Sequence, residues 1–351
     1  MIISSDPAGH DLVQQTQDDV DLEPEVELRR AVASVQSHGA RLDRALADVV
    51  PELSRSYLQQ LILAGAVQLN GVTITKSSMK IKAGDALAVE LRPTPQSIAF
   101  KPEAMDLDIV FEDEHLLVIN KPSGLVVHPA PGNWSGTLLN GLLAYDSQAL
   151  FLPRAGIVHR LDKDTSGLMV VARNRPTMDQ LVAMIAARTV TRQYLAIGQG
   201  VWKGAKTRQV ELPIGRDPRN RLRMAVVDLL TNAGKLALTE FSLAANGSEH
   251  CLVQCRLHTG RTHQIRVHMA ALGHCLVADD TYGGKAAGGL KRQGLHACRL
   301  AFTHPHSGEP LTFDSQLPAD MVTALADLSI GYTLKSRIAA DLPLIAALRS
   351  K

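Results

Sequence analysis

The chain has 351 residues, 45% of them hydrophobic and 21% charged, with a formal net charge of +2. That is enough apolar content for one large core and a smaller second unit, and no apolar run approaches the roughly 18 residues a bilayer span demands. Four cysteines (Cys251, Cys255, Cys275, Cys298) are too few for a secreted disulfide framework, and two Trp, five Tyr and six Phe are too few to stack many bases on aromatic platforms. The reading is a soluble, cytoplasmic protein with free thiols.

Residues 1–28 hold eight acids and no Lys or Arg, so the remainder carries a net charge of about +10, which suits a polyanionic partner without requiring one. The acidic stretch lacks apolar periodicity, and residues 1–38 are expected to be a disordered tail. From Arg41 the pattern changes. Leu42, Ala45, Leu46 and Val49 recur at helical spacing, Pro51 breaks the run, and Ser54 stands as an N-cap before Leu58, Leu61 and Ile62. After Gly65, Val67 and Leu69 alternate with polar neighbours, Asn70-Gly71 supplies a tight hairpin turn, and Val72 and Ile74 resume the alternation. A last strand follows Gly84-Asp85 through Leu87, Val89 and Leu91.

This order of two helices, a hairpin and a strand, with Arg41-Leu42-Asp43, Ser54-Arg55-Ser56, Asn70-Gly71 and Gly84-Asp85 in place, resembles the S4 RNA-binding domain over residues 39–92. Between Ser54 and Lys82 stand Arg55, Lys76, Lys80 and Lys82 and no acid, so one face could follow an RNA backbone. The plainer account is a solvated polar face.

Residues 93–104, with Pro93, Pro95 and Pro102, read as a linker. From 105 to 326 short apolar runs separated by Gly, Pro and Asn turns, with helical stretches such as 176–188, argue for an α+β unit with a largely antiparallel sheet. Residues 327–351 read as a helical tail.

Two segments carry chemistry. In His159-Arg160-Leu161-Asp162-Lys163-Asp164-Thr165-Ser166-Gly167, charged groups crowd a turn before the apolar run Leu168–Ala172, a costly arrangement unless they are paired. A local Asx-turn would account for one Asp. In His258-Thr259-Gly260-Arg261-Thr262-His263-Gln264-Ile265-Arg266, a strand end and a turn lead into a helix that Gly273 closes. His263 and His268 are five apart with Gln264 between, which is not zincin spacing, and Cys251 with Cys255 and His258 does not space like a zinc knuckle. No metal is expected.

With Asn120-Lys121-Pro122-Ser123-Gly124 through Pro129, Arg192-Gln193-Tyr194 and the two segments above in order, the chain resembles the RluA family of pseudouridine synthases from about Asp106 to Leu325. The resemblance implies the pseudouridine synthase fold, an α+β arrangement with a largely antiparallel mixed sheet flanked by helices and loops. It implies Asp162 as catalytic carboxylate, Arg266 as its ion-pair partner, Tyr194 as the ring that stacks on the target base and a relay for its C5 proton, and Arg160 as the filler of the gap left by the flipped nucleotide. Arg261 joins these as an RNA contact. A phenol serves as a base only if its pKa is lowered. No cofactor is implied, and the partner is RNA, with a stem-loop of 23S rRNA favoured over transfer RNA and a monomer expected. His159 and Lys121 are open between structural and catalytic roles.

The chain departs from the family pattern after Arg266: where the family usually reads His-Pro-Leu-Val-Gly-Asp-Pro, this chain has His274-Cys275-Leu276-Val277-Ala278-Asp279-Asp280. Two rival readings remain, a non-catalytic RNA-binding assembly factor and an N-glycosidase using Asp162 with Asp164, although two carboxylates on one loop are poorly placed to flank a sugar.

Overall fold

The structure, a computed structural model, describes residues 27–51, 55–91, 100–130 and 132–332. The acidic segment up to residue 26, the Ser54 cap, residues 92–99 of the proline-rich stretch and residues 333–351 lie outside them. The chain divides between residues 94 and 95 into two compact units.

The first unit begins with β1 (Glu27–Val32), followed by α1 (Leu42–Val49) and α2 (Arg55–Leu63). Leu42, Ala45 and Leu46 of α1 and Leu58, Leu61 and Ile62 of α2 are buried, the one-sided pattern their spacing dictates. β2 (Val67–Leu69), β3 (Val72–Thr73) and β4 (Ala86–Leu91) complete a sheet of order β1-β4-β2-β3. Asn70 (φ 50°) and Gly71 (φ 79°) both take the positive dihedrals of the expected hairpin turn.

Residues 27–37, read above as part of the disordered tail, correct that reading. β1 pairs antiparallel with β4 from Glu27↔Leu91 to Val32↔Ala86, and a 3-10 turn at Val35–Ser37 leads on towards α1. Pairing satisfies the backbone groups along the edge of β4, a gain that local composition cannot register because the partner lies far along the chain.

The second unit contains, in chain order, β5 (Ile109–Glu112), β6 (Leu116–Lys121), α3 (Leu138–Tyr145), β7 (Ser166–Ala172), α4 (Arg175–Ala186), β8 (Thr191–Gln199), β9 (Thr207–Glu211), β10 (Ile214–Arg216), β11 (Met224–Val226), β12 (Gly234–Lys235), β13 (Leu238–Asn246), β14 (His250–Leu257), α5 (Gln264–Ala271), β15 (Leu295–Thr303), β16 (Pro310–Asp314) and α6 (Ala319–Asp327). The large sheet runs β5-β6-β7-β15-β8-β14-β13-β9, with β16 beside β15, and β10 to β12 form a small sheet of their own. Within the large sheet only β7 and β15 pair in parallel, so the fold is α+β with a mostly antiparallel sheet.

Successive residues of the central strands feed opposite faces. Ile119, Met169, Val171 and Ala196 pack with α3 and with Ile265 and Met269 of α5. Leu116, Val118 and Val170 pack with Leu181 of α4, while Leu195, Ile197 and Leu252 pack with Met321 and Leu325 of α6. Covered on both sides, β7 is buried along its whole length, which explains why its sequence is a continuous apolar run rather than an alternation. After α6 the described part of the tail is not helical as expected: Ser329 adopts φ 54° and Ile330 is buried in the core beneath α6. No helix among the described residues is long and apolar enough to cross a membrane.

Gly167 shows how tightly the strand carrying the Asp162 loop is held. Its φ is 116°, and an added Cβ would lie 2.2 Å from the Ala297 carbonyl oxygen. Gly167→Ala should therefore cost on the order of 1–3 kcal/mol, read as a lower denaturant midpoint. An unchanged midpoint would show that β7 and β15 tolerate separation.

Candidate active site

The backbone of the Asp162 loop is held from two directions. Thr165 N–H donates to the Asp162 carbonyl at 3.1 Å, closing a turn. On one flank Lys121, 1% exposed at the end of β6, donates from Nζ to the carbonyls of Pro122 (2.7 Å), Leu125 (2.8 Å) and Lys163 (2.9 Å). Burial brings its pKa down to about 8 against the opposing pull of Asp164 and Asp162. On the other flank Arg292 Nη1 donates to the Asp164 carbonyl at 3.0 Å and Gln293 Nε2 to Thr165 Oγ1 at 3.3 Å. Lys121 is thus a structural tie of this loop.

The Arg266 segment is set by Gln264, which is 3% exposed. Its Oε1 accepts from Thr259 Oγ1 (2.8 Å) and Arg261 N (2.9 Å), and its Nε2 donates to the Leu238 carbonyl (3.0 Å) and Thr239 Oγ1 (2.9 Å). All of the amide's capacity goes into joining the Thr259–His263 turn to β13, and α5 starts from His263 in a left-handed conformation (φ 57°). Both ring nitrogens of His268 are taken up by Thr239 Oγ1 (2.9 Å) and the Leu212 carbonyl (3.1 Å), so the His263 and His268 pair does not converge on a metal.

Arg266, 6% exposed, connects the two segments. Nη1 donates to Asp162 Oδ2 at 3.1 Å, while Nε and Nη2 grip both oxygens of Asp279 at 2.7 Å each. Burial works against the guanidinium charge, but these bonds outweigh it and push the Arg266 pKa up. The guanidinium also lies 5.0 Å over the Tyr282 ring. Met224 N–H donates to the Tyr282 oxygen, which lies 2.8 Å from His263 Nδ1. The opposite His263 nitrogen faces Asp162 Oδ2 at 3.9 Å, and burial lowers the pKa of that imidazole.

Sequence reasoning gave no site role to Asp279 or Tyr282 and weighed His263 only as a metal ligand. The one available signal was the altered loop around Asp279, where Ala278 stands at the family's usual glycine. Ala278 adopts φ 58°, so the loop keeps a conformation that glycine takes without strain and alanine at a cost of about 1 kcal/mol.

A cleft of about 740 Å³ opens above these groups. Asp162, Arg266, Tyr194, Arg160 and Arg261 all line it, whereas Arg55, Lys76, Lys80 and Lys82 belong to the other compact unit. Among the described residues, six arginines and a single acid, Asp162, contribute to its walls. Asp164 does not, and lines instead the adjoining cavity that it shares with Asp162, Asp279 and Asp280. Tyr194 lies in β8 opposite Cys255 and Ala297 of the neighbouring strands, and burial pushes its pKa up to about 12. Its phenol is neutral near pH 7, contrary to what a relay acting as phenolate needs. His128 and His159 are held neutral by burial, at about 4 and about 3.

In the first unit, the Asp43 side chain is fully buried, and Arg41, Arg55 and Gln59 all donate to it. Burial opposes the charge, yet those hydrogen bonds hold its carboxyl far below the usual range. Arg55 is therefore engaged inside its own unit, while Lys76, Lys80 and Lys82 are exposed. Among the described residues one trio, Glu114, His115 and His306, brings ligand-type atoms within 4.8 Å of one another. Asn174, whose Oδ1 accepts from Thr177 N, turns its Nδ2 to His115 Nδ1, so the proton falls on His115 Nε2 rather than a lone pair being free there.

Residues 115–271 match the RNA pseudouridylate synthase family and residues 40–87 match the S4 domain. The chain is 46% identical over 315 residues to the ribosomal large subunit pseudouridine synthase D of Neisseria meningitidis serogroup B, covering 86% of this chain and 82% of that one. It is 45% identical over 295 residues to the protein of the same name from Nitrosomonas europaea, covering 82% and 84%. Among solved structures, human RNA Pseudouridylate Synthase Domain Containing 1 superimposes with a TM-score of 0.52 at 27% identity, over 72% of this chain and 98% of its own.

The buried histidines predict an acid response. Their folded pKa values of about 4 and about 3 lie below the ordinary imidazole value, so the unfolded chain takes up more protons in acid. The stability this represents is complete above about pH 6.5 and is lost as pH falls towards the folded values, roughly 2–3 kcal/mol per histidine at most by pH 4.5. Replacing both by glutamine should flatten the fall in melting temperature between pH 6.5 and 4.5; equal steepness in the variant would contradict the assignment.

Proposed function

The chain belongs to the RNA pseudouridylate synthase family and isomerises uridine in RNA, and from that premise we propose that Asp162 attacks a uridine extruded from a stem-loop of large-subunit ribosomal RNA. The observation that carries this reading is the Asp162 carboxylate, 3.1 Å from Arg266 in a cleft whose other charged side chains, among the described residues, are arginines. A carboxylate paired with a guanidinium and partly shielded from water is a competent nucleophile. The names of the bacterial relatives support the ribosomal large subunit over transfer RNA as the substrate, and with it a cytoplasmic place of work.

The roles divide as follows. Asp162 bonds to C1′ as the N1 to C1′ bond breaks, the uracil turns, C5 then bonds to C1′ and displaces the carboxylate, and the proton lost from C5 is matched by one gained at N1, so atoms and electrons balance with Asp162 regenerated and without a cofactor. Arg266 aims Asp162 through the 3.1 Å hydrogen bond from its Nη1. Tyr194, neutral and 5% exposed, offers its ring to the base. Arg160, exposed at the rim, fills the space the base leaves, offsetting part of an extrusion cost of a few kcal/mol, and Arg261 adds a phosphate contact. In the S4 unit, Lys76, Lys80 and Lys82 track the RNA backbone, with Arg55 bracing Asp43 beneath them.

Asp162→Asn should bind RNA within several-fold of the native protein and form no pseudouridine, assayed by mapping the modified position; persistent product from a pure variant would reject the nucleophile. A Lys80→Ala, Lys82→Ala double variant should weaken RNA binding and reduce the slope of log K against log salt by about 1 to 2. An unchanged slope would remove the S4 unit from the interface.

A further inference from the structure

Arg192 is a buried cation that the roles above leave unused. It opens the Arg192-Gln193-Tyr194 run of β8, is 6% exposed and lines the cleft. Among the described residues it has no ion-pair partner, and its Nε is buried without a hydrogen bond. The Thr259-Gly260-Arg261 turn makes room for it, since a Cβ on Gly260 would fall 2.8 Å from Arg192 Nη1. A guanidinium stays charged at any working pH, and burying it without a counter-charge costs several kcal/mol. The fold bears that cost at one wall of the cleft whose single acid, Asp162, is already bound to Arg266.

We propose that Arg192 is the anion receptor of the cleft, taking the phosphate of the extruded uridine nucleotide. Uracil presents neutral edges, while a phosphate offers the paired oxygens that a guanidinium fork matches. Arg192 and Tyr194 are two residues apart on one strand, so both project from the same side of β8 at a spacing of about 7 Å, comparable to the reach from a base to its own phosphate. With the Tyr194 ring on the base, Arg192 then fixes the sugar-phosphate end and presents the glycosidic bond to Asp162. This rests on the proposed uridine substrate for its geometry, but its first test is independent of turnover.

The full chain and its Arg192→Gln and Arg192→Lys variants are compared in phosphate-free buffer. Arg192→Gln should melt higher than the native protein, because an unpaired buried charge is gone; a merely structural arginine would give the opposite sign. Uridine monophosphate, 5′ or 3′, should bind the native chain more tightly than uridine, and Arg192→Gln should lose about 10- to 100-fold for the monophosphate while changing little for uridine. Arg192→Lys should recover part of that preference. A lower melting temperature in Arg192→Gln, or equal weakening of nucleotide and nucleoside, overturns the proposal. Pseudouridine mapping with the native protein runs alongside: absence of product there defeats the substrate reading, whereas the nucleotide comparison alone judges Arg192.

Discussion

The arrangement depends on one guanidinium shared by two carboxylates. Asp279, 1% exposed, takes two of the Arg266 nitrogens at 2.7 Å and so fixes the plane of the group, and the remaining nitrogen reaches Asp162 at 3.1 Å. A lone ion pair between Arg266 and Asp162 would leave the arginine free to rotate and the carboxylate free to follow it. The fork removes that freedom, because a planar donor set with both ends occupied has one orientation. Asp162, more exposed than Asp279 at 16% against 1%, remains the carboxylate of the two that faces the cleft.

Charge is placed with the same economy elsewhere. Lys121 is a buried cation satisfied entirely by backbone carbonyls, and it holds the loop on which Asp162 stands. Arg192 is a buried cation with no ion-pair partner among the described residues and a buried Nε without a hydrogen bond. The first is a tie and the second lacks a counter-charge, a difference set by what surrounds two basic side chains. His128 and His159, kept neutral beside these arginines, add polar edges to the cleft without adding further repulsion.

Tyr194 illustrates how packing limits chemistry. The strand pairing that places its ring beneath the cleft also removes it from water, and removal from water raises the phenol pKa. The same residue cannot be both well buried and readily ionised without a neighbouring cation strong enough to compensate. Position was gained at the expense of basicity, which leaves the ring and a neutral hydroxyl at the cleft rather than a phenolate.

Much was legible from local pattern. The Asn70-Gly71 hairpin, the buried strand after Asp162, the helix carrying Arg266 and the pairing of Arg266 with Asp162 all follow from residues close in sequence or from an ordered set of motifs. What stayed hidden involves partners far apart in the chain. β1 was lost inside an acidic segment because its partner β4 lies beyond two helices and a hairpin. Asp279 looked like a remnant of an altered loop, Lys121 like an ambiguous cation, and Arg192 like the prelude to a tyrosine. Sequence determines which charges the chain carries and the local geometry of its turns and strands; only tertiary packing decides which charge meets a counter-charge, which meets carbonyls and which meets none, because desolvation and ion pairing act between groups that the chain brings together only when folded.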